Sequence, residues 1–321
     1  MHRSPIARPL AAPVAALAVL ALAACSPSEA DEAGSSAGAT PGATTEVAGV
    51  DIAVDPDIRA LLPQQYLDAG VVRVATDVPY PPFEMYVEEG SDEITGLDHD
   101  LGQAIGAVLG VDFTFAAQKF DGIIPAIQAG KYDVTISAMT DTVERQEALT
   151  FVDYSASGTG MLVADGNPEG ITTYTDLCGR PVAAQAGSKQ VELVQDWAAE
   201  CEESGAEPVE LKTYPKDSDA QLAIRSGAVV ASVLTKPSAG YVAKTADDGA
   251  AFDSIDDPAA PNGYDATLNG IGIANSATGL PEAIQAALQS LMDDGTYTTI
   301  LDEYGLTGIA IDEATINGAT S

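Results

Sequence analysis

Beyond residue 70 the chain alternates between two hydrophobic patterns. Short runs rich in valine and isoleucine predict strands at 71–76, 111–115 and 134–137, and again at 182–185, 209–213 and 229–234. Between them, apolar positions three and four apart predict helices at 101–109, 189–203, 219–226 and 238–246, with two more at 281–294 and 297–304. The stretch around residue 130 is strongly punctuated. Asp121 can cap a short helix, Pro125 is tolerable in its first turn, Gly130 ends it, and Thr142 can cap a further helix. A strand–helix alternation that occurs twice predicts an α/β fold with mainly parallel pairing in two units.

Before residue 70 the pattern differs. An apolar run at 10–22 follows His2, Arg3 and Arg8; it is too short to span a bilayer comfortably and reads as a targeting segment over 1–24. Leu22-Ala23-Ala24-Cys25 then resembles the bacterial lipobox, which implies acylation of Cys25 and an extracytoplasmic chain anchored to the cell membrane by lipid alone. Residues 25–50 are mostly Ala, Gly, Ser, Thr, Pro and acid, cannot bury a core, and read as a flexible tether. From 51 to 69, Ile58, Leu61, Leu62 and Leu67 have helix-like spacing.

Composition narrows the partners. With 48 acidic and 14 basic residues the formal charge is −34, which excludes nucleic acid and an anionic lipid surface. The three cysteines divide into Cys25 and a pair, Cys178 and Cys201, expected to form a disulfide in an oxidising compartment. His99 is the only histidine after residue 2. A metal site and any histidine-assisted nucleophile are therefore not expected, nor is a cofactor.

The candidate chemistry is anion binding. Arg145 falls in the first turn of a helix capped by Thr142, where the helix itself gains nothing from a cation. With the Ser137 and Thr140 hydroxyls and the N–H groups near Ala138, it would trap a carboxylate. Gln185-Ala186-Gly187-Ser188-Lys189 follows a strand and opens a helix, so a second set of N–H donors, capped by Ser188, can meet the same group. That turn lacks the Walker spacing, which discounts a nucleotide phosphate.

These residues stand in a longer pattern. Phe120-Asp121-Gly122-Ile123-Ile124-Pro125-Ala126 leads through Gly130-Lys131-Tyr132-Asp133 to Thr142-Val143-Glu144-Arg145 and Phe151-Val152-Asp153-Tyr154. Thr76-Asp77-Val78-Pro79-Tyr80-Pro81-Pro82-Phe83-Glu84 follows the first predicted strand. From about residue 71 to 304 the chain resembles the extracytoplasmic solute-binding proteins of ABC importers for polar amino acids, family 3. The resemblance implies a type II, two-lobed periplasmic-binding-protein-like fold with a ligand cleft between lobes joined by two hinge strands, near 155–159 and 264–269. Lobe one would be 51–159 with 264–321, and lobe two 160–263. Asp77 would face the ligand, with Tyr80 stacked on one side and Phe120 on the other. Pro82, Phe83 and Glu84 would be structural.

One departure bears on the ligand. The family carries an aspartate for the ligand's α-ammonium at the slot filled here by Thr235, and Val230 replaces a second aspartate. Asp77 is then the only acid among the matched pocket residues, which makes it more necessary and predicts weak binding of common α-amino acids. The implied function is that of a monomeric receptor delivering a small zwitterion to ABC permease subunits. Two others share the fold: a cyclohexadienyl or arogenate dehydratase-like enzyme, disfavoured by the lack of a general-acid histidine, and a ligand-sensing lipoprotein.

Overall fold

The computed structural model describes residues 44–88 and 90–320. The expected targeting segment, Cys25 and most of the expected tether lie outside the described residues. Within them, nine strands form one large sheet. In chain order these are β1 (Val71–Thr76), β2 (Asp112–Ala117), β3 (Val134–Thr135), β4 (Leu149–Ala164), β5 (Pro181–Gln185), β6 (Glu210–Tyr214), β7 (Ala231–Thr235), β8 (Phe252–Ile255) and β9 (Tyr264–Ala274). Their spatial order is β6-β5-β7-β4-β9-β3-β1-β2, with β8 also paired to β4.

Pairing is parallel at both ends of this sheet, where helices connect the strands, and antiparallel wherever β4 or β9 takes part. The expectation of mainly parallel pairing thus holds within each lobe and fails at their junction. There the chain passes directly from one lobe to the other along β4 and returns along β9. Leu268 pairs with Ala156 and Asn269 with Ser155, and the register shifts between Asn269 and Gly270. Asn269 Nδ2 reaches Ser157 Oγ at 3.0 Å, tying the two crossing strands by side chains as well.

Apolar packing covers the sheet in both lobes, and the largest cluster joins residues of the two. In the first, the helix Leu97–Leu109 turns Leu97, Leu101, Ile105 and Leu109 inward at a spacing of four, and all are buried. Each fully buried side chain of this kind contributes roughly 1.5–3 kcal/mol. In the second, Val194, Trp197 and Cys201 of the helix Lys189–Glu203 meet Val182, Ala184 and Val233 of the sheet. Cys178 and Cys201 form a disulfide with their Cα atoms 5.7 Å apart.

Three local expectations are corrected. Thr44–Val47 and Val50–Ala53 form a hairpin, with Val47 and Ile52 buried against the first lobe, so the end of the expected tether is folded. Residues 51–69 yield only two short helices, Pro56–Arg59 and Gln64–Ala69, because Pro63 interrupts the periodic stretch. Asp121 lies in a 3-10 turn, Phe120–Gly122, and the helix Ile123–Gln128 begins after Gly122 without a side-chain cap.

Candidate ligand-binding site

The strand ends β1, β5 and β7 and the turn after β3 converge where the lobes meet. Asp77, Tyr80, Glu84, Phe120, Ser137, Ala138, Thr140, Gln185, Ser188, Lys189 and Thr235 all border one cavity there, joined by Asp217. Its volume is about 20 Å³, room for a single water. Admission of an amino acid therefore requires the lobes to part, the hinge motion this architecture permits.

Contacts across the cleft are polar. Gln185 Nε2 donates to Asp77 Oδ2. The Thr235 N–H donates to the Tyr80 hydroxyl at 2.8 Å, and that hydroxyl donates to Thr235 Oγ1 at 3.2 Å. Lys216 Nζ reaches the Val78 carbonyl at 3.1 Å. Gly187 adopts φ +78°, and a Cβ there would stand 3.0 Å from the Asp121 Cα. Only glycine supplies both the left-handed backbone and the close approach of the two lobes. Tyr80 is thus a wall of the cavity whose hydroxyl is tied to lobe two, while half-buried Phe120 lies under Arg145, 5.7 Å from ring centre to guanidinium carbon.

The expected carboxylate trap is assembled only in part. Arg145 Nη1 donates to the Thr140 carbonyl at 2.8 Å and Nη2 to the Gly187 carbonyl at 2.9 Å, so its fork bridges the two lobes beside the cavity. Two of the expected donors are already committed inside the protein. Ser137 Oγ donates to Glu84 Oε1 at 2.6 Å while accepting from the Asp77 N–H. The Ala138 N–H, held at φ +43°, donates to Asp98 Oδ2 at 2.6 Å. Ser188 stands at the N-cap of its helix but does not cap it, because its hydroxyl donates to the Gln185 carbonyl instead. That leaves the first N–H groups of a fifteen-residue helix, at Lys189 and Gln190, without a side-chain partner among the described residues. Thr140 Oγ1 is likewise without one. Lys189 Nζ turns to Glu192 at 3.0 Å.

Three more acids stand at the site: Glu84, expected to be structural, and Asp98 and Asp217, which the motifs do not single out. Glu84, Asp98 and Asp217 are each at most 2% exposed. Asp98 takes hydrogen bonds from the Ala138 N–H and the Tyr154 hydroxyl, and faces Glu84. Burial and the neighbouring Asp98 charge push the Glu84 carboxyl well above its usual range, which makes it the proton-holding member of the pair. Burial also raises Asp77 to about 6, against the opposing hydrogen bond from Gln185. Asp217 is raised to about 6 by burial and by Asp77, against a hydrogen bond from Gln221. The cavity is therefore walled by carboxyl groups from both lobes with a guanidinium at one side.

This arrangement, two α/β lobes on crossing strands with a polar cleft between, is that of a ligand receptor. The chain belongs to the bacterial extracellular solute-binding proteins, family 3, whose family model matches residues 72–307. It is 30% identical over 265 residues to the arginine-binding protein of Corynebacterium glutamicum, covering 82% of this chain and 83% of that one. Among solved structures it is similar to an ancestral arginine-binding protein bound to arginine, with a TM-score of 0.62 and 33% identity over 74% of this chain and 98% of that one. It is also similar to an ancestral amino acid-binding protein described as a precursor of cyclohexadienyl dehydratase, with a TM-score of 0.65 and 28% identity over 76% and 99% of the two chains. Among the described residues no helix is long and apolar enough to cross a membrane.

Proposed function

We propose that this chain is the receptor of an ABC importer for an amino acid with a cationic side chain, arginine above all. This replaces the weak binding of common α-amino acids expected from Thr235, since Asp217 adds a second acid to the cavity beside Asp77. The observation that carries this reading is the charge set of the cavity: Asp77 and Asp217 stand on it without a lysine or arginine salt bridge among the described residues, while the lining Lys189 is already paired to Glu192 and Arg145 lies beside the cavity. A zwitterion with one further positive charge is its complement, since each buried carboxylate needs a counter-charge worth several kcal/mol. Arginine-binding relatives support the same choice. The ligand carboxylate goes to Arg145, Thr140 Oγ1 and the N–H groups of Lys189 and Gln190, and the side-chain cation goes toward Asp77. Residues 51–159 and 264–321 make lobe one and residues 160–263 lobe two, with acylated Cys25 as the anchor to the outer face of the cell membrane. Receptor rather than enzyme is the reading the cavity favours: His99 stays outside it, paired to Asp100, and the proton on Glu84 is accounted for by Asp98.

Calorimetry with L-arginine and its uncharged isostere L-citrulline tests the proposal. Arginine is expected to bind at least tenfold more tightly, and Asp77→Asn to weaken arginine binding by at least tenfold, about 1.4 kcal/mol. Affinity should also fall as pH drops through about 6, because the ligand needs the ionised form of a carboxyl whose own value is raised to about 6. Equal affinity for the two ligands, indifferent to Asp77, would defeat the assignment of a cationic ligand.

A further inference from the structure

We infer that Asp217 is the lobe-two half of a two-carboxylate clamp, closing with Asp77 on one cationic group of the ligand. This rests on the reading of a cationic ligand and names the residue that enforces it from the second lobe. Asp217 opens the helix Asp217–Arg225, immediately after the strand β6, and is 2% exposed. An acid in a first helical turn is ordinary when it faces water, where it complements the helix dipole. This one faces the cavity instead. Its Oδ2 accepts from Gln221 Nε2 at 2.7 Å, and its Oδ1 has no hydrogen-bond partner among the described residues. The adjacent cation does not serve it, because Lys216 Nζ is directed to the Val78 carbonyl across the cleft.

On the facing wall Asp77 is 4% exposed and takes its hydrogen bond from an amide, with Lys216 and Lys119 acting on it only as charges at longer range. Asp77 and Asp217 border the same small cavity, and the Asp77 charge is close enough to raise Asp217. Closing the lobes thus brings two buried carboxylates of the same sign toward each other, which is unfavourable by itself. A cation between them reverses the sign of that interaction. A guanidinium suits the position because it has donors on more than one edge, so a carboxylate from each lobe can take its own. A neutral side chain of the same shape fills the space and leaves the repulsion in place. The clamp therefore acts through closure: it discriminates against uncharged ligands by making the closed form costly for them.

The test is Asp217→Asn in the mature protein, with L-arginine and L-citrulline as probes and a melting curve for folding. The variant is expected to melt at least as high as wild type, to lose tenfold or more in arginine affinity and to bind citrulline more tightly than wild type does, because the repulsion that opposes closure on a neutral ligand is gone. A variant that keeps the full preference for arginine while Asp77→Asn loses it would overturn the clamp and leave the proposed function standing. Should wild type itself show no preference, the proposed function falls and the clamp falls with it.

Discussion

Replacing Arg145 by alanine is expected to cost roughly 2–5 kcal/mol of ligand binding while leaving the melting temperature near that of wild type. The magnitude follows from removing one partner of a desolvated charge pair, which strands the ligand carboxylate. The guanidinium has five N–H donors, and the closed protein uses two of them on the Thr140 and Gly187 carbonyls. The remaining donors, the Thr140 hydroxyl and the N–H groups at the start of the helix Lys189–Glu203 surround the position beside Phe120. The fold should tolerate the change, since the helix Val143–Gln146 is capped by the Thr142 hydroxyl and a cation in that turn adds little to it. A purely structural role, latching the two lobes by two neutral carbonyls, gives a different result. Each such hydrogen bond is worth about 1 kcal/mol, and the alanine variant would then bind ligand nearly as wild type does.

Opening the Cys178–Cys201 disulfide is expected to lower stability by about 3 kcal/mol. The two cysteines are 23 positions apart, and the loop they close contains β5 and nearly all of the helix Lys189–Glu203, the segment that places Gln185 and Ser188 on the cavity. Cys201 is buried beside Trp197 and Leu177, so the paired serine variant also puts a hydroxyl into an apolar cluster. Denaturant melts of the oxidised and reduced protein measure the difference, and intact mass after alkylation reports the thiols. Two freely alkylated cysteines in native, unreduced protein would contradict the pairing.

How much of this was legible in the sequence varied with the physics involved. Strand and helix positions were readable because they rest on local periodicity, and β1 and the helix Lys189–Glu203 fall where the pattern puts them. The antiparallel crossing of β4 and β9 was not readable from periodicity, since a fully buried strand looks alike in either pairing. The residues around the cavity were largely identified by motif, and all but Arg145 of the expected ligand contacts border it. What they do there depended on partners far away in the chain. Nothing in Ser137-Ala138 announces that its hydroxyl and N–H will serve Glu84 and Asp98, 53 and 40 residues away. Asp98 and Asp217 escaped notice for one reason. Each is an acid in a first helical turn, the commonest place for an acid on a solvated helix, and only burial sets them apart.

The most direct test of the central claim is a crystal structure of the protein with L-arginine bound. The expected result is closed lobes, the ligand carboxylate on Arg145, Thr140 and the N–H groups of Lys189 and Gln190, and the guanidinium turned toward Asp77. A ligand seated with its carboxylate away from Arg145, or bound outside the cleft between the lobes, would contradict it.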